Sequence, residues 1–118
     1  MPEPVTQWQI LSKDPETHAA FYSQIFGWTV DGNNPLGYRQ ADTGSRGLPG
    51  GFWPAPPEAQ CFVQLFIEIG NMAQTVAKVT EHGGSVLIPP QTLPAGEQMA
   101  ILRDPMGLTF GVMVPAKK

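Results

Sequence analysis

The chain has 118 residues, 42% of them hydrophobic and 14% charged, with a formal net charge of −3. That length bounds it to one domain, with room for two small halves. The low charge argues against intrinsic disorder, the acidic balance against a nucleic-acid partner, and the 13 glycines and 13 prolines lack a collagen period.

From the N-terminus, Val5 to Ser12 alternates: Gln7, Gln9 and Leu11 point one way, Trp8 and Ile10 the other, as in a strand with one apolar face. Asp14-Pro15-Glu16 opens a helix, with Asp14 as cap, proline in the first helical position and Glu16 at the positive end of the dipole. Phe21, Tyr22, Ile25 and Phe26 form its apolar stripe and Gly27 its left-handed stop. Trp28 to Asp31 predicts a short strand and Gly32-Asn33-Asn34-Pro35 a turn. Gly37 to Asp42 and Leu48 to Trp53 predict two more strands, with a turn over 43–47. The proline-rich stretch 54–59 then reads as a stiff linker, with few backbone donors for a sheet.

The second half repeats the order. Gln60 to Ile69 predicts a strand with Leu65, Ile67 and Ile69 on one face and Gln64, Phe66 and Glu68 on the other. Asn71 caps a helix whose inward side is Met72, Val76 and Val79, and Gly83-Gly84 ends it. Ser85 to Ile88 predicts a strand stopped by Pro89-Pro90. Glu97 to Arg103 and Leu108 to Val114 predict a hairpin around Asp104-Pro105-Met106-Gly107.

Both halves therefore read β-α-β-β-β, as modules 5–53 and 60–114. An offset of 57 residues lays Gln7 on Gln64, Ile10 on Ile67, Asp14 on Asn71, Ala20 on Ala77 and Gly27 on Gly84. Near the module ends an offset of 60 lays Gly47-Leu48 on Gly107-Leu108 and Gly51 on Gly111. A four-stranded sheet with one helix covers a single face, so the other face must pair with a second module or hold a ligand.

Asp14-Pro15-Glu16, Phe21-Tyr22, Phe26-Gly27-Trp28, Gly83-Gly84-Ser85-Val86 and Asp104-Pro105-Met106-Gly107-Leu108 resemble the vicinal oxygen chelate superfamily. That group includes glyoxalase I, bleomycin-resistance proteins and extradiol dioxygenases. The resemblance runs from Val5 to Val114 and implies an α+β fold of paired βαβββ modules, with curled mixed sheets around a cavity.

In metal-using members, ligands come from the first and last strands of each module. On this chain those slots fall on Gln7, Gly51, Gln64 and Gly111. Two neutral amides and two glycines do not offset the dehydration of a divalent ion, for which carboxylates, imidazoles or thiolates are the usual anchors. The expectation is no metal and no cofactor, with Gly51 and Gly111 enlarging a cavity for an organic guest.

Gln7, Gln9 and Gln64 supply amide handles to that cavity; Trp53, Phe62, Phe66, Met99 and Met113 supply its apolar walls. Glu68 or Arg103 gives charge selection if it points inward, and is a solvated edge charge if not. Arg39 takes one face of its strand, and Tyr38 and Gln40 the other. His18 and His82 are expected on outer helix surfaces and Cys61 as a buried inert thiol. No serine stands in a nucleophile elbow.

The favoured reading is metal-free binding of a small, partly apolar or aromatic molecule, as the resemblance to bleomycin-resistance proteins implies. The rivals are a lyase, isomerase or dioxygenase using Glu68 as base or a metal, and a non-catalytic dimerising module. The expected partners are a small-molecule ligand and a second copy of the chain, with no nucleic acid and no membrane. One cysteine, no apolar run near ~20 residues and no visible secretory signal make a cytoplasmic location the expectation.

Overall fold

A computed structural model describes residues 2–32, 38–55 and 61–116. The elements are β1 (Val5–Ser12), α1 (Pro15–Phe26), β2 (Thr29–Asp31), β3 (Arg39–Asp42), β4 (Gly50–Pro54), β5 (Phe62–Glu68), α2 (Met72–Glu81), β6 (Ser85–Thr92), β7 (Gln98–Arg103) and β8 (Thr109–Val114). The βαβββ order appears twice, in an α+β fold. Within the expected turn over Gly32 to Pro35, positions 33–35 lie outside the described residues. So do Gly37 and Gln60, each the expected start of a strand, and positions 56–59 of the expected linker. Pro54 is not linker: it closes β4 opposite Ser12.

The chain divides into two units, Gln7–Gln64 and Leu65–Lys118, the latter including Met1–Thr6. Pro4 belongs with the second unit because its carbonyl accepts the Glu68 N–H at 2.9 Å.

In the first unit the strand order is β2-β3-β4-β1, with β1 parallel to β4 and the other pairs antiparallel. The parallel register places Gln9 opposite Gly51, Ile10 opposite Phe52 and Leu11 opposite Trp53. α1 begins where Asp14 accepts the Thr17 N–H at 3.1 Å and ends at Gly27, whose φ of 74° is left-handed. It covers one sheet face over a core of Ala19, Ala41 and Phe52, flanked by Trp8, Ile10, Tyr22, Trp28 and Val30. Only part of the expected apolar stripe faces that core. Phe21, Ile25 and Phe26 are more than half exposed, because the small Ala19 is the residue α1 lays on the sheet.

The second unit orders its strands β5-β8-β7-β6, with β5 parallel to β8. Phe66 lies opposite Gly111, Ile67 opposite Val112 and Glu68 opposite Met113. These pairs are those of the first unit carried through the offsets of 57 and 60. Asn71 caps α2 by accepting the Gln74 N–H at 3.0 Å, the equivalent of Asp14 and Thr17. The stop differs by one residue: Gly83, not Gly84, has the left-handed φ of 92°, and the Gly84 N–H returns to the Val79 carbonyl. The core is Ile69, Met72, Ala100, Leu102 and Val112, with Ile67, Val76 and Val79 against it.

The prolines do not stop the strand after α2. β6 continues to Thr92, and its pairing with β7 shifts register between Ile88 and Gln91, where Pro89 and Pro90 stand. β6 ends its unit's strand order, and a proline without an N–H is tolerated at such an irregularity.

Candidate ligand-binding site

Side chains alternate across each sheet, so the register assigns the face away from each helix. In the first unit Gln7, Gln9 and Leu11 of β1 share that face with Gly51 and Trp53 of β4. Arg39 lies opposite Phe52 on the helix side, which puts Gln40, opposite Gly51, on the far face with Tyr38. In the second unit Phe66 and Glu68, Met99 and Arg103, and Gly111 and Met113 share the face away from α2. Phe62 and Gln64 have the same parity on β5; Phe62 is exposed at 36%, whereas Gln64 is buried at 3%.

One expectation about the glycines changes. Gly51 is opposite Gln9, and Gly111 is opposite Phe66. Neither glycine opens a hollow. A Cβ on Gly51 would fall on the Tyr38 ring and hydroxyl, and a Cβ on Gly111 on the Phe66 ring. Each glycine exists to let an aromatic ring lie against the backbone. Tyr38 is the site residue that sequence reasoning left undecided. The available signal was the glycine itself, two strands from a tyrosine whose face no periodicity fixes.

Tyr38 organises the first unit's far face. Its ring packs on Trp53 at 4.6 Å between centroids. Burial pushes its phenol up to about 12 from an ordinary 10.0, and a hydrogen bond from the Gln9 side chain pulls the other way. Gln9 is 3% exposed, and its Oε1 is buried without a partner among the described residues, as is the indole Nε1 of Trp53. Whichever way the Gln9 amide is turned, Tyr38 engages one end and the other stays unmatched. An unmatched buried polar atom costs ~1–3 kcal/mol.

The remaining sequence candidates behave differently. Glu68 is exposed at the end of β5, beside Pro4, Asn71 and Lys78, the solvated of its two expected settings. Cys61 is exposed rather than buried, because it stands just before β5 begins. His18 is not an outer-surface residue. Its ring stacks on Phe52 at 5.9 Å, and its Nδ1 lies 2.6 Å from the wholly buried Ser12 hydroxyl. His82 is exposed, with Nδ1 2.8 Å from the Lys78 carbonyl.

The far face of the first unit offers amides, a phenol, an indole and a glycine. Among the described residues no group of three or more His, Cys, Asp and Glu stands together. Neutral amides and a phenol held in its protonated form do not replace the hydration of a divalent ion, so this donor set does not fit one. No helix among the described residues is long and apolar enough to cross a membrane.

Paired βαβββ modules, with parallel β1–β4 and β5–β8 contacts, define a glyoxalase-type protein, and residues 5–112 match the family model of the Glyoxalase/Bleomycin resistance protein/Dioxygenase superfamily. The chain belongs to that family. Its curated relatives include CFP32 of Mycobacterium bovis and Mycobacterium tuberculosis, named as a glyoxylase and 28% identical over 114 residues. The match takes in 92% of this chain but 42% of that protein, so the chain spans less than half the length of these relatives. Among solved structures it is similar to BH1468 from Bacillus halodurans C-125, with TM-score 0.71 and 14% identity over 100% of this chain and 98% of that one. Methylmalonyl-CoA epimerase from Mycobacterium tuberculosis gives TM-score 0.65 and 13% identity over 94% and 87% of the two chains. At these identities the likeness to solved structures shows the fold alone.

Proposed function

We propose that this chain binds a small, partly apolar or aromatic molecule without a metal ion, and that the β1–β3–β4 face of the first unit anchors it. The observation that carries this reading is the pair of unmatched buried atoms, Gln9 Oε1 and Trp53 Nε1, on the two residues that contact Tyr38. Gln9 and Trp53 offer one acceptor and one donor, so the guest carries both a donor and an acceptor, as a carboxamide, lactam or protonated carboxylic acid does. The indole and phenol rings supply the apolar contact.

Binding rather than proton chemistry fits these groups. Gln7, Gln9, Gln40 and Trp53 carry no titratable proton near neutral pH, and the Tyr38 phenol is pushed up to about 12. The epimerases and the glyoxylase-named relative share the fold, but on this face a base would have to come from none of these residues.

A thermal-shift screen of aromatic amides, lactams and carboxylic acids tests the reading. A guest at 100 times its Kd adds ~2.7 kcal/mol, which raises Tm by about 4 °C or more in a chain of this size. Gln9→Leu removes the unmatched amide oxygen and also the hydrogen bond to Tyr38, two opposing effects on the free protein, while weakening the guest about tenfold or more. Unchanged affinity in Gln9→Leu overturns the site. A stoichiometric divalent ion retained by the purified protein overturns the metal-free part.

A further inference from the structure

A separate cavity of about 430 Å³ opens on the helix side of the first unit, where β1 turns into α1. Its walls include Lys13, His18, Phe21, Tyr22 and Cys61. We propose that it is a second small-molecule site, built for an uncharged aromatic compound whose hydrogen-bond acceptor takes the Nε2–H of His18.

The argument starts from Ser12. Its hydroxyl is wholly buried, accepts the Asp14 N–H at 3.1 Å and lies 2.6 Å from His18 Nδ1. The buried hydroxyl proton has no other acceptor among the described residues, so it goes to Nδ1. That choice fixes the imidazole tautomer and leaves the proton on Nε2. Among the described residues nothing bonds Nε2. The ring is held by its contact with Ser12 and by its stack on Phe52, with an interplanar angle of 25°. His18 thus brings a donor to the cavity wall.

The walls select the rest of the guest. Phe21 and Tyr22 stand edge-on to one another, 5.1 Å between centroids and 79° apart, and form an apolar corner against which a flat ring rests. Phe21 is 53% exposed, a cost in water that a guest relieves. The charges cancel: Lys13 brings one ammonium and Asp14 one carboxylate. Both carboxylate oxygens already accept from Thr17, at 3.1 Å from its N–H and 2.7 Å from its hydroxyl. With one charge of each sign, the lining favours neither sign of net charge on the guest. The volume falls in the range of ~300–1,000 Å³ usual for small-ligand sites. The site is distinct from the Gln9–Trp53 face, because Phe52 points to the helix side while its neighbours Gly51 and Trp53 point to the other.

Titration of the whole chain with benzamide, followed by NMR of side-chain signals, tests the proposal. Benzamide is expected to shift His18 and Tyr22 saturably and to slow alkylation of Cys61 by iodoacetamide, independently of any shift at the Trp53 indole. Benzoate, benzylammonium and toluene each bind about tenfold more weakly, the two ions for want of charge pairing and toluene for want of an acceptor. His18→Phe, which keeps the stack on Phe52, weakens benzamide about tenfold. Phe21→Ser, at an exposed position, weakens it as well. The proposal is overturned by no saturable shift at His18, by either ion binding as tightly as benzamide at His18, or by full benzamide affinity in His18→Phe, read at the remaining Tyr22 signal.

Discussion

In the first unit the helix rests on aromatic rings; in the second it rests on aliphatic side chains. Trp8, Trp28 and Phe52 lie beside α1, whose own Tyr22 stacks on Trp28 at 5.2 Å and 10°. Ile69, Leu102 and Val112 lie beside α2 and its own Met72. The far faces differ in the same sense. The first unit covers its glycine with the ring of Tyr38, which stands just before β3, and the second with the Phe66 ring of β5 itself. One backbone plan, repeated strand pair for strand pair, thus lays a phenol over one glycine and a phenyl ring over the other. Duplication supplies the frame, and the residues above the glycines set what each face presents.

The largest test of that contrast is Phe66→Ala. Phe66 is fully buried, and its loss is expected to cost ~3–5 kcal/mol by chemical denaturation. Tyr38→Ala, at a half-buried residue, costs clearly less. Equal losses would break the contrast. Next come Gly51→Ala and Gly111→Ala, each expected to cost ~1–3 kcal/mol because the new Cβ meets a ring. Pairing Gly51→Ala with Tyr38→Ala recovers most of its loss, and Tyr38→Ala does nothing for Gly111→Ala.

The helix caps sharpen the comparison through pH. Asn71→Ala costs ~1 kcal/mol at any pH, since an amide does not titrate. The Asp14 carboxyl is held below its ordinary 3.8, first by the Thr17 hydroxyl and then by the Thr17 N–H. A depressed folded value means that the stabilisation is present above pH 3.8 and is lost as pH falls through the lower folded value. Below that point Asp14→Ala therefore matches the wild type, while Asn71→Ala remains destabilised. The smallest effect is spectroscopic. Of the two tyrosines, Tyr38 ionises late, near pH 12, in an ultraviolet titration. Its raised folded value makes the contribution to stability complete below pH 10.0 and lost as pH rises through about 12. Gln9→Leu removes the donor that favours the phenolate and moves the titration still higher.

Element order was legible because its signals are local. Asp14-Pro15 and Asn71 start the helices and the glycines after them stop them, through hydrogen bonds that span a few residues. Alternation in β1 and β5 assigned the correct side chains to each face. The signals failed where a neighbour decides. Pro89 and Pro90 look like a stop, yet a strand at the end of its unit's order absorbs them in a register shift. Phe21 and Ile25 look like core, yet α1 is turned so that Ala19 meets the sheet. Cys61 and His18 exchanged their expected surroundings, because burial depends on what packs above a residue rather than on its type.

The amino-acid sequence alone determined the duplicated βαβββ plan, and its motifs resemble the family to which the chain belongs. The plan follows from caps and periodicity, which act within a few positions of the chain. Only the tertiary structure decided that Gln9 and Phe66 stand opposite the glycines, that Tyr38 covers Gly51, and that Ser12 holds His18. Strand register is set by the packing of whole faces, and a slip of one residue sends every side chain to the other side of the sheet.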